Sequence, residues 1–132
     1  MKITVDTNVL ARAILRDDPS QADTARKLLK EATLIAVPLP SLCELVWILR
    51  QGTKLPKEDV AASIRALLNA ANVVLNRPAV EAGLAFLDAG GDFADGIIAY
   101  EGKWLGGETF VSFDKQAVTL LSKQGKFARF LT

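Results

Sequence analysis

The 132-residue chain contains no histidine. That absence removes histidine general-base chemistry, zinc sites that need imidazole, and the Ser-His-Asp arrangement for nucleophilic catalysis. Cys43 is the single cysteine, so no intrachain disulfide can form, and its place in the apolar run Leu42-Cys43-Glu44-Leu45-Val46 reads as a buried small hydrophobe. There is no basic tail or block either. Residues 1–66 hold ten basic and eight acidic side chains, residues 67–132 six and seven, and the net charge is +1. This weakens a duplex-DNA reading, although an enzyme with a short footprint needs only a few phosphate contacts. Long apolar runs are also missing at the N-terminus, where Met1-Lys2-Ile3-Thr4-Val5 meets Asp6 at once, unlike a signal peptide or a membrane span. A soluble, cytoplasmic protein with no membrane association is expected.

What is present is apolar and regularly patterned. With 50% hydrophobic and 23% charged residues, the chain is long enough for one domain over residues 1–132 with one core. The strand candidates are Met1–Val5, Leu34–Val37, Asn72–Leu75 and Thr109–Ser112, with Phe127–Leu131 as a short edge strand or a cover for the core. Between them lie helical stretches. These are Asn8–Arg16 capped by Thr7 or Asn8, Gln21–Glu31 opened by Pro19, Leu42–Arg50 capped by Ser41, Pro56 to about Ala70, Pro78 to Gly90, Asp92–Trp104, and Lys115–Ser122 capped by Asp114. The Leu42–Arg50 helix is apolar on nearly every side, which predicts a central position, with Trp47 in the core or an interface. Strands alternating with helices long enough to return the chain predict a three-layer α/β/α domain around a central, mostly parallel sheet.

Five acids stand in apolar surroundings. Asp6 ends the first strand, Asp114 follows the last well-formed one, Glu44 interrupts the apolar helix, and Asp92 and Asp95 open another helix at i and i+3. Each has a local structural explanation. Asp114 is an N-cap, Asp92 and Asp95 a cap and N3 pair, Asp6 a turn residue, and Glu44 the N3 partner of Ser41 in a capping box. Those explanations do not account for the set, because ligand sites of open parallel sheets lie outside the carboxyl ends of the strands. Like charges about 4 Å apart repel by roughly 4 kcal/mol at an effective dielectric of 20, so a cluster of such acids needs cations or shared protons. Oxygen-only ligands suit Mg²⁺ or Mn²⁺, one or two ions. Such a centre generates hydroxide from water, neutralises a phosphate oxygen and stabilises a leaving 3′ oxygen, which is phosphodiester hydrolysis without histidine. Asp6, Glu44 and Asp95 are the leading ligand candidates, Asp114 a direct or water-mediated one, and Asp92 an auxiliary. Thr7, Asn8 and Ser112 are short polar groups suited to orienting a carboxylate or phosphate. Arg12, Arg16, Lys103 and Lys115 are candidates for phosphate contacts, and Trp104 or Phe93 for base stacking.

The same residues carry a resemblance. Val5-Asp6-Thr7-Asn8, Ser41-Leu42-Cys43-Glu44-Leu45, Asp92-Phe93-Ala94-Asp95 and Ser112-Phe113-Asp114 occur in the order of the motifs of the PIN domain family. Within that family the chain resembles the VapC-type toxin ribonucleases of bacterial toxin and antitoxin pairs. Ser112 replaces a more common Thr, and Tyr100 stands where a small residue is frequent. The resemblance implies a PIN-like fold and Mg²⁺- or Mn²⁺-dependent endonucleolytic cleavage of single-stranded or structured RNA, with Asp6, Glu44, Asp95 and Asp114 as the acidic site. It also implies a homodimer and a cognate antitoxin that covers the active groove and alone carries operator-DNA binding. Two alternatives stay open. One is a PIN-like nuclease acting on DNA or in RNA processing, although the small size and lack of an inserted arch speak against a flap nuclease. The other is a non-enzymatic receiver-like Mg²⁺-binding module, against which stands the lack of a phosphoacceptor Asp at a third-strand end.

Overall fold

Seven helices and five short strands alternate along the chain in the computed structural model, which describes all of residues 1–132. They resolve into two compact units, Met1–Arg77 and Pro78–Thr132.

The N-terminal unit is built on a three-stranded parallel sheet. Strand β1 (Lys2–Thr4) pairs with β2 (Leu34–Ala36) in the register Ile3 to Ile35, and β2 pairs with β3 (Val73–Val74) through Ile35 to Val73. Helices α1 (Thr7–Leu15) and α2 (Pro19–Glu31) separate β1 from β2. Helix α3 (Leu39–Trp47) and helix α4 (Lys57–Asn69) separate β2 from β3. Leu10, Ile35, Leu42, Leu45, Leu49, Val60 and Ile64 are buried in this unit. Each such side chain contributes roughly 1.5–3 kcal/mol relative to exposure.

Helix α3 departs from the sequence expectation. It begins at Leu39, with Pro38 as N-cap, because Pro40 sits in the first turn, where a missing N–H costs nothing. Ser41 therefore does not cap it, and Glu44 is not a capping-box residue. The helix then widens into one π-helical turn over Ile48–Gly52. Nor is it buried all round: Trp47 is 65% exposed and Glu44 is exposed, so its apolar contacts lie on the stripe of Leu42, Leu45, Val46 and Leu49. Cys43 is partly rather than fully buried.

In the C-terminal unit, strand β4 (Phe110–Ser112) pairs in parallel with β5 (Ala128–Phe130), with Phe110 opposite Ala128 and Ser112 opposite Phe130. The last residues thus form a strand rather than a simple cover. Helix α7 (Lys115–Lys123) makes the crossover between them, while α5 (Arg77–Asp88) and α6 (Phe93–Trp104) precede β4. Phe86, Ala117 and Leu121 form a buried cluster against which Phe110, Leu120 and Ala128 pack. All pairings in both sheets are parallel, as the alternation of strands and helices predicts. No helix is long and apolar enough to cross a membrane.

Candidate active site

In the N-terminal unit, the chain leaves β1 through Val5, whose amide still pairs with the Ala36 carbonyl, and turns into α1 at Asp6. Asp6, not Thr7 or Asn8, occupies the N-cap position, yet its carboxylate caps no amide and is exposed. Thr7 beside it is buried, and its hydroxyl donates to the Ser41 carbonyl oxygen at 3.4 Å. The Ser41 hydroxyl in turn donates to the Val5 carbonyl oxygen at 3.4 Å. These reciprocal bonds fasten the turn that carries Asp6 to the first turn of α3, the helix of Glu44. Sequence reasoning missed this link because a serine at a helix start looks the same whether it caps or reaches across.

Asn8 and Arg12 line a groove of about 510 Å³ between α1 and α2, together with Val9, Thr24, Ala25 and Leu28. Arg12 is already engaged, since its guanidinium donates to Asp17 at 2.8 Å and holds that carboxyl below its ordinary pKa. Arg26 of α2 donates twice to the Ala13 carbonyl oxygen, at 2.9 and 2.7 Å, closing the end of α1 against α2.

In the C-terminal unit, the position of Asp95 is set by the glycine that follows it. A Cβ on Gly96 would lie 2.6 Å from the Ala82 carbonyl oxygen and 2.9 Å from the Phe86 Cβ, so α5 and α6 approach more closely than any side chain allows. Phe93, fully buried against Gly83, anchors the same turn. Phe93 is therefore a core residue and not a stacking platform for a base. Asp92 caps α6, its side chain accepting the Ala94 amide at 3.2 Å. Asp114 caps α7 by accepting the Ala117 amide at 3.2 Å, and the Ser112 hydroxyl accepts the Asp114 amide at 2.9 Å. Lys115, the first residue of α7, is exposed, and so is Trp104 at the end of α6.

Asp95 makes no capping bond, and its carboxyl titrates above the ordinary range. Burial is the main cause, followed by the negative charges of Asp92 and then Asp114. Asp95 thus lies within electrostatic reach of both. Across the chain, no group of three or more Asp, Glu or Cys side chains stands close enough together to hold a metal ion. The donor chemistry of Asp92, Asp95 and Asp114 nevertheless fits a hard divalent cation. It is oxygen-only, and the charges of Asp92 and Asp114 bear on Asp95 with no Lys or Arg paired to it.

The sequence matches the family model described as PIN domain over residues 3–120, a span that includes all four acid-bearing motifs and accords with the α/β class of the fold. Proteins of that family are typically nucleases and generally use divalent metal ions. No curated protein matches the chain.

Proposed function

The chain belongs to the PIN domain family, and on that premise we propose that it is a Mg²⁺- or Mn²⁺-dependent endoribonuclease of the VapC toxin type. It cleaves single-stranded RNA, acts as a homodimer in the cytoplasm, and is held inactive by a cognate antitoxin. The observation that supports the enzymatic part is the family match over residues 3–120, which spans all four acid-bearing motifs, with Asp95 lying within electrostatic reach of Asp92 and Asp114 in one of them. Family membership leaves the receiver-like alternative without support.

In this reading Asp6, Glu44, Asp95 and Asp114 are the residues that would hold the metal, with Asp92 as an auxiliary. When bound, Mg²⁺ or Mn²⁺ supplies neutralisation of charge at the phosphate and activation of a water nucleophile. The chain's own groups do the positioning. Asp114 has one carboxylate oxygen fixed on the Ala117 amide, and its backbone is fixed by Ser112, so the remaining oxygen is presented with little freedom. Asp92 keeps its place at the head of α6 through Ala94. Asp6 carries no capping duty, which leaves its carboxylate for a ligand. Lys115 offers charge for a substrate phosphate beside Asp114.

The test is side-by-side incubation of the purified protein with RNA and DNA oligonucleotides of one sequence, in Mg²⁺, Mn²⁺ or EDTA. Internal cleavage of RNA only with metal supports the proposal. Equal or faster DNA cleavage would move the protein to the DNA-acting branch, and cleavage undiminished in EDTA would end the metal reading.

A further inference from the structure

The strand pair β4–β5 has two unlike faces. Phe110 and Ala128, which are register partners, pack on the buried cluster of Phe86, Ala117 and Leu121. Side chains alternate along a strand, so the partners Val111 and Arg129 occupy the opposite face. Val111 is 50% exposed and Arg129 is exposed. One alternation step beyond the pair at either end stand Phe113 and Phe127, 74% and 77% exposed. Both positions are held by the backbone. The Phe127 carbonyl oxygen accepts the Phe110 amide at 3.0 Å, and Phe113 lies between Ser112 and Asp114, which are bonded to each other.

Charge distinguishes this region from the rest of the chain. Residues 109–132 contain four cations, Lys115, Lys123, Lys126 and Arg129, against one acid, Asp114, and they contain four of the six phenylalanines. Exposed aromatic rings on either side of a strand-face cation, Arg129, with Lys115, Lys123 and Lys126 in the flanking residues, match what single-stranded nucleic acid requires: π-faces for successive bases and positive charge for the backbone. A second copy of this chain would gain little from Arg129, since it would present the same charge. The strand also leads directly into Asp114.

We propose that the face formed by Val111 and Arg129 and flanked by Phe113 and Phe127 is the track on which single-stranded RNA lies as it enters the site, with bases stacked on the two phenylalanine rings. This rests on the ribonuclease reading above and adds to it the place where substrate is held.

The experiment measures binding of a fluorescein-labelled RNA 20-mer by anisotropy in EDTA, where no metal-dependent cleavage intervenes, alongside cleavage in Mn²⁺. Phe113→Ala and Phe127→Ala are each expected to weaken binding by about 5- to 100-fold, and Phe113→Trp to restore it. Arg129→Gln is expected to lower the salt dependence of log K by roughly 0.7. An RNA carrying an abasic nucleotide at the stacked position should lose affinity for the natural protein but not for Phe113→Ala, a coupling that a merely structural role would not produce. The proposal is overturned if the Phe113→Ala/Phe127→Ala protein binds and cleaves RNA like the natural one, and equally if those changes only dissociate a dimer. In both cases the ribonuclease reading survives. A natural protein that neither binds nor cleaves RNA overturns both.

Discussion

The acids of the two units stand in comparable places in the sequence and do different work. In the C-terminal unit, Asp92 and Asp114 each accept a helix amide, so both have a structural role whatever else they do. In the N-terminal unit, Asp6 occupies the same kind of position at the head of α1 and accepts none. A cap and a candidate ligand are written with the same letter, and the hydrogen bond shows only which carboxylates also hold a helix end. Of the five acids, Asp6, Glu44 and Asp95 are left without a capping duty, and Asp95 lies close enough to Asp92 and Asp114 for their charges to raise its pKa.

That contrast can be broken by mutation. The largest effect should come from Asp6→Asn and Asp114→Asn, each expected to lower metal-dependent RNA cleavage by about 10²-fold or more while far-UV circular dichroism and melting temperature stay near those of the natural protein. Asparagine caps a helix as well as aspartate does, so the Asp114 change isolates function from fold. Full activity in either variant would remove that residue from the site.

Truncation separates the pair by stability. Asp114→Ala should cost about 1 kcal/mol in chemical denaturation, because the Ala117 amide loses its acceptor, whereas Asp6→Ala should stay within about 0.5 kcal/mol. Equal losses at both positions would show that the difference in capping has no energetic weight.

The smallest expected effect is that of Asp95→Asn on the stability of the metal-free protein. A raised native pKa means that ionised Asp95 disfavours the metal-free folded state at pH values above it. The variant should therefore melt slightly higher at neutral pH. The gap should close as pH falls through the raised native value towards the ordinary one, where the carboxyl is neutral in both folded and unfolded chains. A gap that widens on acidification would reverse the sign and contradict the crowding of these acids.

The units also differ in how they end their helices, and this explains how much could be read from sequence. In the C-terminal unit α5, α6 and α7 each stop at a glycine with positive φ, namely Gly90, Gly106 and Gly125. Paired backbone bonds close each turn, such as Gly91 to Phe86 and Gly90 to Leu87. Glycine announces this locally, and those boundaries are legible to within a residue or two. In the N-terminal unit no glycine does this; Arg16 ends α1 in the left-handed region, and distant side chains add to the closing. Arg26 binds the Ala13 carbonyl, Asn72 those of Leu29 and Ala32, and Arg77 that of Leu68. No local pattern reveals these.

The start of α3 departs from the sequence pattern for a related reason. Pro38 and Pro40 signal an interruption, but Pro40 lies within the first helical turn, so the chain begins its helix before Ser41. The acids could be singled out because each stands in an apolar run, but which of them cap a helix could not be read there. Nor do apolar neighbours tell the buried Phe93 from the exposed Trp104 and Phe113. Only the close approach at Gly96 and the alternation of β4 separate them.

The most direct test of the central claim is a titration of the metal-free protein with Mn²⁺, read by loss of the free-ion electron paramagnetic resonance signal. Saturable binding at one or two sites is expected, sharply weakened in both Asp6→Asn and Asp95→Asn. Binding of the same strength in the natural protein and in both variants would contradict that claim.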